Sequence, residues 1–273
     1  ALNREGLTST DAVVEKAIGN ELTETYRGRE RYLKTPTFLA GTPRTPMGDA
    51  GTGSRRVSRG YFHQISNLKD HVTWLSGRMA SNVIDINTAG PRLEAVISEP
   101  SSRAFGLHIG DEVVFTPSIS DPIRITVEIV GVLEASDPTE EFWQGNSNIL
   151  LQPQPLTDQP DIGVEVDPDE PPLPLFISYE AIIEGVGKAY PGSFVNSTWF
   201  IYIDKQGLKL WSKDVTRDRI NQLEESVADS MSGTAVLTGI NKLINDFEKR
   251  SFFTSVPLLL LLVVMAITAV YYV

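Results

Sequence analysis

The 273-residue chain carries 35 Asp and Glu against 24 Lys and Arg, a net charge of −11, and no cysteine. An acidic surface repels phosphate backbones, so nucleic acid is not expected as a partner. Without thiols the chain has no disulfides, thiolate metal sites or Cys nucleophiles, and its length has room for one large or two small domains.

Thr8 to Leu22 has a helical pattern: Thr8 and Asp11 have capping-box spacing, and Val14, Ala17, Ile18 and Leu22 share one face. Tyr32 to Ala40 reads as one strand weakened by Pro36, hence an edge strand. Gly41 to Ser54 lacks periodicity and is a loop or long hairpin tip. Tyr61 to Ile65 forms a second strand, and Asn67 to Leu75 places Leu68, Val72 and Leu75 at helical spacing. Leu93 to Ser98 is a strand, followed by a short helix, Ser101 to Phe105, capped by Ser101 or Ser102 and stopped by Gly106. Gly110-Asp111 makes a tight turn into another strand. Ile123 to Leu133 is a long strand whose alternation gives way to a fully apolar run, as for a half-exposed strand entering a buried sheet.

Asp137 to Gly145 is a polar connection in which Phe142 and Trp143 serve as core or loop anchors, and Asn148 to Leu151 is a short strand. Gln152 to Pro174, crowded with prolines and carboxylates, is an extended acidic loop and the clearest internal boundary. Leu175 to Ile177 is a strand, Ser178 caps a helix through Tyr190, and Ser197 to Asp204 is an apolar strand. Asp214 starts an amphipathic helix with Ile220, Leu223, Val227 and Met231 along one stripe. Thr238 caps a further helix with Ile240, Leu243, Ile244 and Phe247 on its buried face.

The last stretch is uncharged from Ser251, and Ser255 to Val273 consists almost wholly of Leu, Val, Ile, Ala and Tyr. At about 1.5 Å per residue it spans roughly 28 Å, close to a bilayer's hydrocarbon thickness of roughly 30 Å. It is expected to be a transmembrane helix, with Tyr271 and Tyr272 as an interfacial anchor. Only Pro257 interrupts the pattern leading in from Phe247, so amphipathic helix passes into membrane helix without a flexible linker. The absence of Cys points to a prokaryotic outer-face domain or a cytosolic one. The chain opens Ala-Leu-Asn-Arg-Glu-Gly, without Met or a signal sequence, which suggests a segment of a longer protein.

No catalytic, cofactor-binding or metal-binding residue is assigned. His63, His71 and His108 lack the spacing of zinc ligands. No G-x-S-x-G elbow is present, and Gly53-Ser54 lies in loop sequence. Asp11, Glu15 and Glu21, and the Glu224–Glu225 pair, belong to solvated helix faces. Gly48 to Gly53 lacks the Lys-Ser/Thr ending of a phosphate loop. Asn196-Ser197-Thr198 fits a glycosylation acceptor, which matters only in a eukaryotic secretory context.

Several stretches line up in order. They are Glu94 to Ser98, the short helix, Gly106-Leu107-His108-Ile109-Gly110-Asp111-Glu112-Val113, and the long strand ending Ile129-Val130-Gly131-Val132-Leu133. Gly60-Tyr61-Phe62 and Gly77-Arg78-Met79 precede them, and Ser251 to Val273 follows. From about Gly60 onward the chain resembles the extracytoplasmic (periplasmic core) domain of MacB/FtsX-type ABC transporter permeases. The resemblance implies an α+β, two-lobed body: a membrane-proximal lobe from residues 1–84 and 153–250, an inserted β-rich lobe from 85–152, and a transmembrane helix over 251–273. It also implies a first transmembrane helix just before Ala1. The implied partners are a cytoplasmic ABC ATPase subunit, a second permease copy and the bilayer. ATP hydrolysis would belong to the ATPase, and the soluble part would lie outside a prokaryotic cell membrane. Substrates of that family include lipoproteins, lipids, peptides and signals to cell-wall hydrolases, and the sequence does not choose among them. The rival readings are a membrane-anchored binding or assembly module without an ATPase, and a membrane-tethered hydrolase using Asp and Glu.

Overall fold

The structure is a computed structural model that describes residues 2–41, 58–82, 84–87, 90–154, 171–204, 206–207, 211–231, 234–236 and 238. The expected loop after Gly41, the body of the acidic loop, the helix beginning at Thr238 and the apolar run Ser251 to Val273 lie outside the described residues. Among those described, no helix is long and apolar enough to cross a membrane. The chain divides into two compact units, Ala1–Thr8 with Arg29–Ile201, and Ser9–Gly28 with Tyr202–Val273.

The fold mixes helices with one large mixed sheet. The strands are β1 (Tyr26–Lys34), β2 (Phe38–Gly41), β3 (Arg59–Ile65), β4 (Val72–Gly77), β5 (Asp85–Asn87), β6 (Gly90–Ser98), β7 (Glu112–Thr116), β8 (Ile125–Ala135), β9 (Leu173–Phe176) and β10 (Asn196–Ile203). They run in the order β10-β1-β3-β2-β7-β8-β6-β5, with β4 added on β8 and β9 paired to both β3 and β6. That double pairing closes a ring, β3-β2-β7-β8-β6-β9. The β3–β9 side is parallel over Gly60↔Leu173 to His63↔Phe176, and the β6–β9 side is an antiparallel contact at Val96↔Phe176. β6 and β8 are also parallel, with α2 (Glu99–Phe105) and β7 lying between them in sequence.

Period-two alternation fills the inside of this barrel, since every second side chain of a strand faces the same way. Phe38 and Ala40 come from β2, Phe62 from β3, Leu93, Ala95 and Ile97 from β6, Val113 and Phe115 from β7, and Ile125, Val127 and Ile129 from β8. Almost all are at or below 2 % exposure. Each of the Val, Leu, Ile and Phe side chains among them contributes about 1.5–3 kcal/mol by leaving water. A second apolar cluster around Val96, Leu133, Phe142, Trp143 and Phe176 packs on the outside, so Phe142 and Trp143 are core residues.

The segment β6–α2–β7–β8 shows how local chemistry sets these strands. Ser98 Oγ accepts from Ser101 N, so the helix begins two residues earlier than expected and the cap is Ser98, not Ser101 or Ser102. Gly106, at φ 64°, ends α2 in the left-handed region that favours glycine. In the turn that follows, His108 N donates to Asp111 Oδ2 at 2.7 Å, and Gly110 takes φ 89°. Gly110 N then donates to Ile129 O at 2.8 Å while Ile129 N donates to Asp111 O at 2.9 Å, which stitches the turn to β8.

Four further expectations are corrected. Pro36 splits the first strand region into β1 and β2, and β2 is paired on both sides, to β3 and β7, so it is not an edge strand. Leu68–Asp70 forms a 3-10 turn and Val72–Gly77 is a strand, because pairing with β8 outweighs a short helical spacing; Leu75 is left exposed. Asn148 to Leu151 is helical within α3 (Ser147–Leu151), an apolar run too short for periodicity to separate the two states. The helix after Ser178 contains a π-helix, Ala181–Gly187, rather than a regular α-helix. Gly185 lets this helix pack closely on β6, since a Cβ there would come within 2.7 Å of Leu93 Cδ2.

In the second unit, Val14, Ala17 and Ile18 of α1 (Arg4–Glu21) and Leu22 just after it are buried, as are Ile220, Leu223 and Val227 of α4 (Lys213–Ser230). Arg219 Nη1 donates to the Glu21 carbonyl at 3.1 Å, capping the end of α1 with a cation.

Candidate functional site

The three histidines have separate surroundings. His63, on β3, is 1 % exposed; its Nδ1 hydrogen-bonds to the Tyr32 hydroxyl, and it packs against Tyr61 and Phe176. Burial, reinforced by the nearby Lys34 ammonium, holds its pKa well below the usual histidine value. Burial also raises the Tyr61 phenol to about 12 and lifts Tyr32 further still. The cluster is therefore neutral apart from Lys34, whose own pKa burial lowers. His71 stacks on Phe142 at 3.7 Å and bonds to Glu140 through Nδ1 at 2.9 Å. His108 is solvent-facing beside Asp111. Among the described residues, no group of three or more His, Asp or Glu side chains could hold a metal ion.

Glu15 and Glu225 are exposed, and Asp11, Glu21 and Glu224 half-buried, on their helices. Asn196 is exposed at the start of β10. Gly48 to Gly53 and Ser54 lie outside the described residues.

The feature with the shape of a site is a cleft where β3 and β9 part. Their parallel pairing ends at His63↔Phe176, and Ile177 N donates to His63 O at 2.9 Å as the last rung. Beyond it β3 turns through Asn67, at φ 56°, into the 3-10 turn, while β9 passes through Ser178 into the helix. The two chains diverge beyond the carboxyl ends of the paired strands and leave a gap between them. The gap is about 440 Å³, lined by Gln64, Ile65, Leu68, Met79, Ala80, Ser81, Asn82, Ile177, Ser178 and Tyr179.

Its walls are fastened from behind. Arg78 grips Glu94 with both guanidinium nitrogens, each 2.6 Å from a carboxylate oxygen, and Ser81 N donates to the same carboxylate at 2.7 Å. Hydrogen bonding from Arg78, helped by Ser81 N, holds the Glu94 pKa below the usual carboxylate range. Segment 78–82 is thereby pinned to β6. On the opposite wall the Arg31 guanidinium lies 4.7 Å from the centre of the Tyr179 ring. Ser178 Oγ accepts from Ala181 N at 3.0 Å, fixing the helix start.

Among the described residues, no ionisable carboxylate, imidazole or ammonium lines the cleft, and the groups present suit recognition by apolar contact and neutral hydrogen bonds. Sequence reasoning marked Ser178 as a cap and Gly77-Arg78-Met79 as a segment end but passed over Gln64 and Asn82. The pairing of β3 with β9 and the fastening of segment 78–82 to Glu94 of β6, all distant in sequence, bring these residues together.

Two of the quoted motifs also meet. Gly77 of β4 is paired with Gly131 of β8, and Arg78 N donates to Val130 O at 3.1 Å. A Cβ on Gly77 would be driven into the Val130 carbonyl, and one on Gly131 into the Arg78 carbonyl, so close approach of the two backbones needs glycine on both. Gly60 likewise leaves room for Phe115, whose Cε1 would be 2.6 Å from a Cβ there.

No family model matches the chain, and no curated protein matches it.

Proposed function

We propose that this chain is the extracytoplasmic part of an ABC transporter permease subunit. It would pass motion driven by a cytoplasmic partner ATPase to transport or mechanical signalling outside a prokaryotic membrane. The observation that carries the reading is the way the short motifs are used. The Gly106-to-Val113 turn is stitched to the strand bearing Ile129–Leu133 by two backbone hydrogen bonds, and Gly131 of that strand faces Gly77. Stretches that resemble one permease family in order and spacing thus form a single packing unit. The uncharged sequence from Ser251 to Val273 supplies a segment of membrane-spanning length. In this reading that segment is a transmembrane helix closing a two-lobed body, and the complex holds a second permease copy.

The test is purification of the full-length protein from its native membranes in mild detergent. The permease reading predicts that an ABC ATPase co-purifies, and that its ATP hydrolysis falls when glycines inserted after Arg250 interrupt the helical lead-in. A pure protein with no associated ATPase contradicts it and favours an anchored binding module.

A further inference from the structure

We infer that the cleft between β3, β9 and segment 78–82 binds an extended, uncharged stretch of peptide. One apolar side chain rests on the floor, and the peptide's amide groups face Gln64, Asn82 and Ser178. The inference does not rest on the permease reading, since an anchored module would take the same ligand.

The cleft's volume of about 440 Å³ falls within the roughly 300–1,000 Å³ usual for ligand sites. Because no Asp, Glu, Lys or Arg side chain is among the described residues that line it, a phosphate, carboxylate or ammonium entering would lose hydration without meeting a counter-charge from them. Ile65, Leu68, Met79 and Ile177 offer apolar contact, and the flexible thioether of Met79 adapts to side chains of different shape. An acyl chain would match that floor but strand the amides and hydroxyl around it. A peptide offers both an N–H and a C=O at nearly every residue.

Gln64 Oε1 is buried without a hydrogen-bond partner. Rotation about the soft terminal torsion of the carboxamide presents either its oxygen or its NH₂ to the cleft. The Ser178 hydroxyl accepts from Ala181 N and keeps its own proton to donate. The Glu94–Arg78 clasp and the Arg31–Tyr179 stack hold both walls before a ligand arrives, so little freedom is lost on binding. The outer edge of β4 is a poorer docking place: an irregularity between Trp74 and Ser76 breaks its register, a device that blunts strand edges.

The experiment is fluorescence anisotropy on the full chain in lipid nanodiscs. The probe is a fluorescein-labelled, amidated pentapeptide of Gly and Ala with one central Leu. Saturable binding is expected with Kd of about 100 μM or tighter, weakening at least about tenfold when the central Leu is replaced by Asp. Asn82→Trp, at the exposed rim, should weaken binding about tenfold by filling the mouth, and Gln64→Leu about fivefold by removing the amide at similar size. Thermal melts of both variants check that the fold persists. If Gln64→Leu does not fold, Asn82→Trp alone decides. Absence of saturable binding at about 1 mM overturns the inference, as does equal affinity for the Asp peptide or unchanged binding by folded Asn82→Trp. A neutral oligosaccharide that displaces the peptide and binds at least about tenfold tighter also overturns it, assigning the cleft to sugars.

Discussion

Replacing Phe62 by Ala tests whether the barrel is closed and filled. The ring has 0 % exposure and sits on β3, which is paired to β1 and β2 on one side and to β9 on the other. Its centroid lies 5.5 Å from Phe38 and 5.2 Å from Phe115, the second contact edge-to-face. Buried Phe→Ala changes cost about 3–5 kcal/mol, with each aromatic pair adding about 0.5–1.5 kcal/mol beyond area. Strands hydrogen-bonded on both sides limit collapse into the space left, so the expected loss is about 4 kcal/mol, against about 1.5 kcal/mol for Phe62→Leu. The assay is equilibrium urea unfolding of the full chain in mild detergent, followed by tryptophan fluorescence. A Trp211→Phe background leaves Trp74, Trp143 and Trp199, all in the unit that contains the barrel, as reporters. A loss below about 1 kcal/mol for Phe62→Ala would refute the closed interior, because a ring on an open face costs little to remove.

Two further predictions follow from the same geometry. His63 has a folded-state pKa below its unfolded value, so below about pH 6.5 the unfolded chain binds more protons and stability falls with pH, by up to about 1.4 kcal/mol per unit. His63→Phe should flatten the pH 7.5-to-5.5 change in urea midpoint relative to wild type; identical slopes would show that His63 is not held neutral by burial. Glycine replacements should split by position: Gly106→Ala, at φ 64° with open space around it, should cost about 1 kcal/mol. Gly77→Ala, which meets the Val130 carbonyl as well as strain at φ 74°, should cost at least about 3 kcal/mol in the same unfolding assay. Equal losses would contradict the close β4–β8 approach.

Much of the local structure is legible in the sequence, and the reason is periodicity. Ile125, Val127 and Ile129 alternate with Thr126 and Glu128, and they form an interior face of the barrel. The stripe Ile220, Leu223 and Val227 is the buried side of α4, and Gly110-Asp111 makes a turn into β7. What periodicity does not contain is partner choice. Nothing local in Phe38–Gly41 announces that β2 is flanked by β3 and β7, or that Leu173–Phe176, beside the proline-rich run, lies parallel to β3. The division expected at 84/85 and 152/153 follows sequence order. The barrel draws β6, β7 and β8 from the middle segment and β2, β3 and β9 from either side. The cleft depends on those long-range pairings, which is why Gln64 and Asn82 carry no local signal.

Sidedness tests the central claim most directly, and the cysteine-free chain suits it. Ser120, exposed on the loop between β7 and β8, can be changed to Cys as the chain's single thiol. In intact cells expressing the full-length protein, a membrane-impermeant maleimide should label Ser120→Cys as fully as it does after permeabilisation. Labelling only after permeabilisation would place the barrel inside the cell and contradict an extracytoplasmic permease domain.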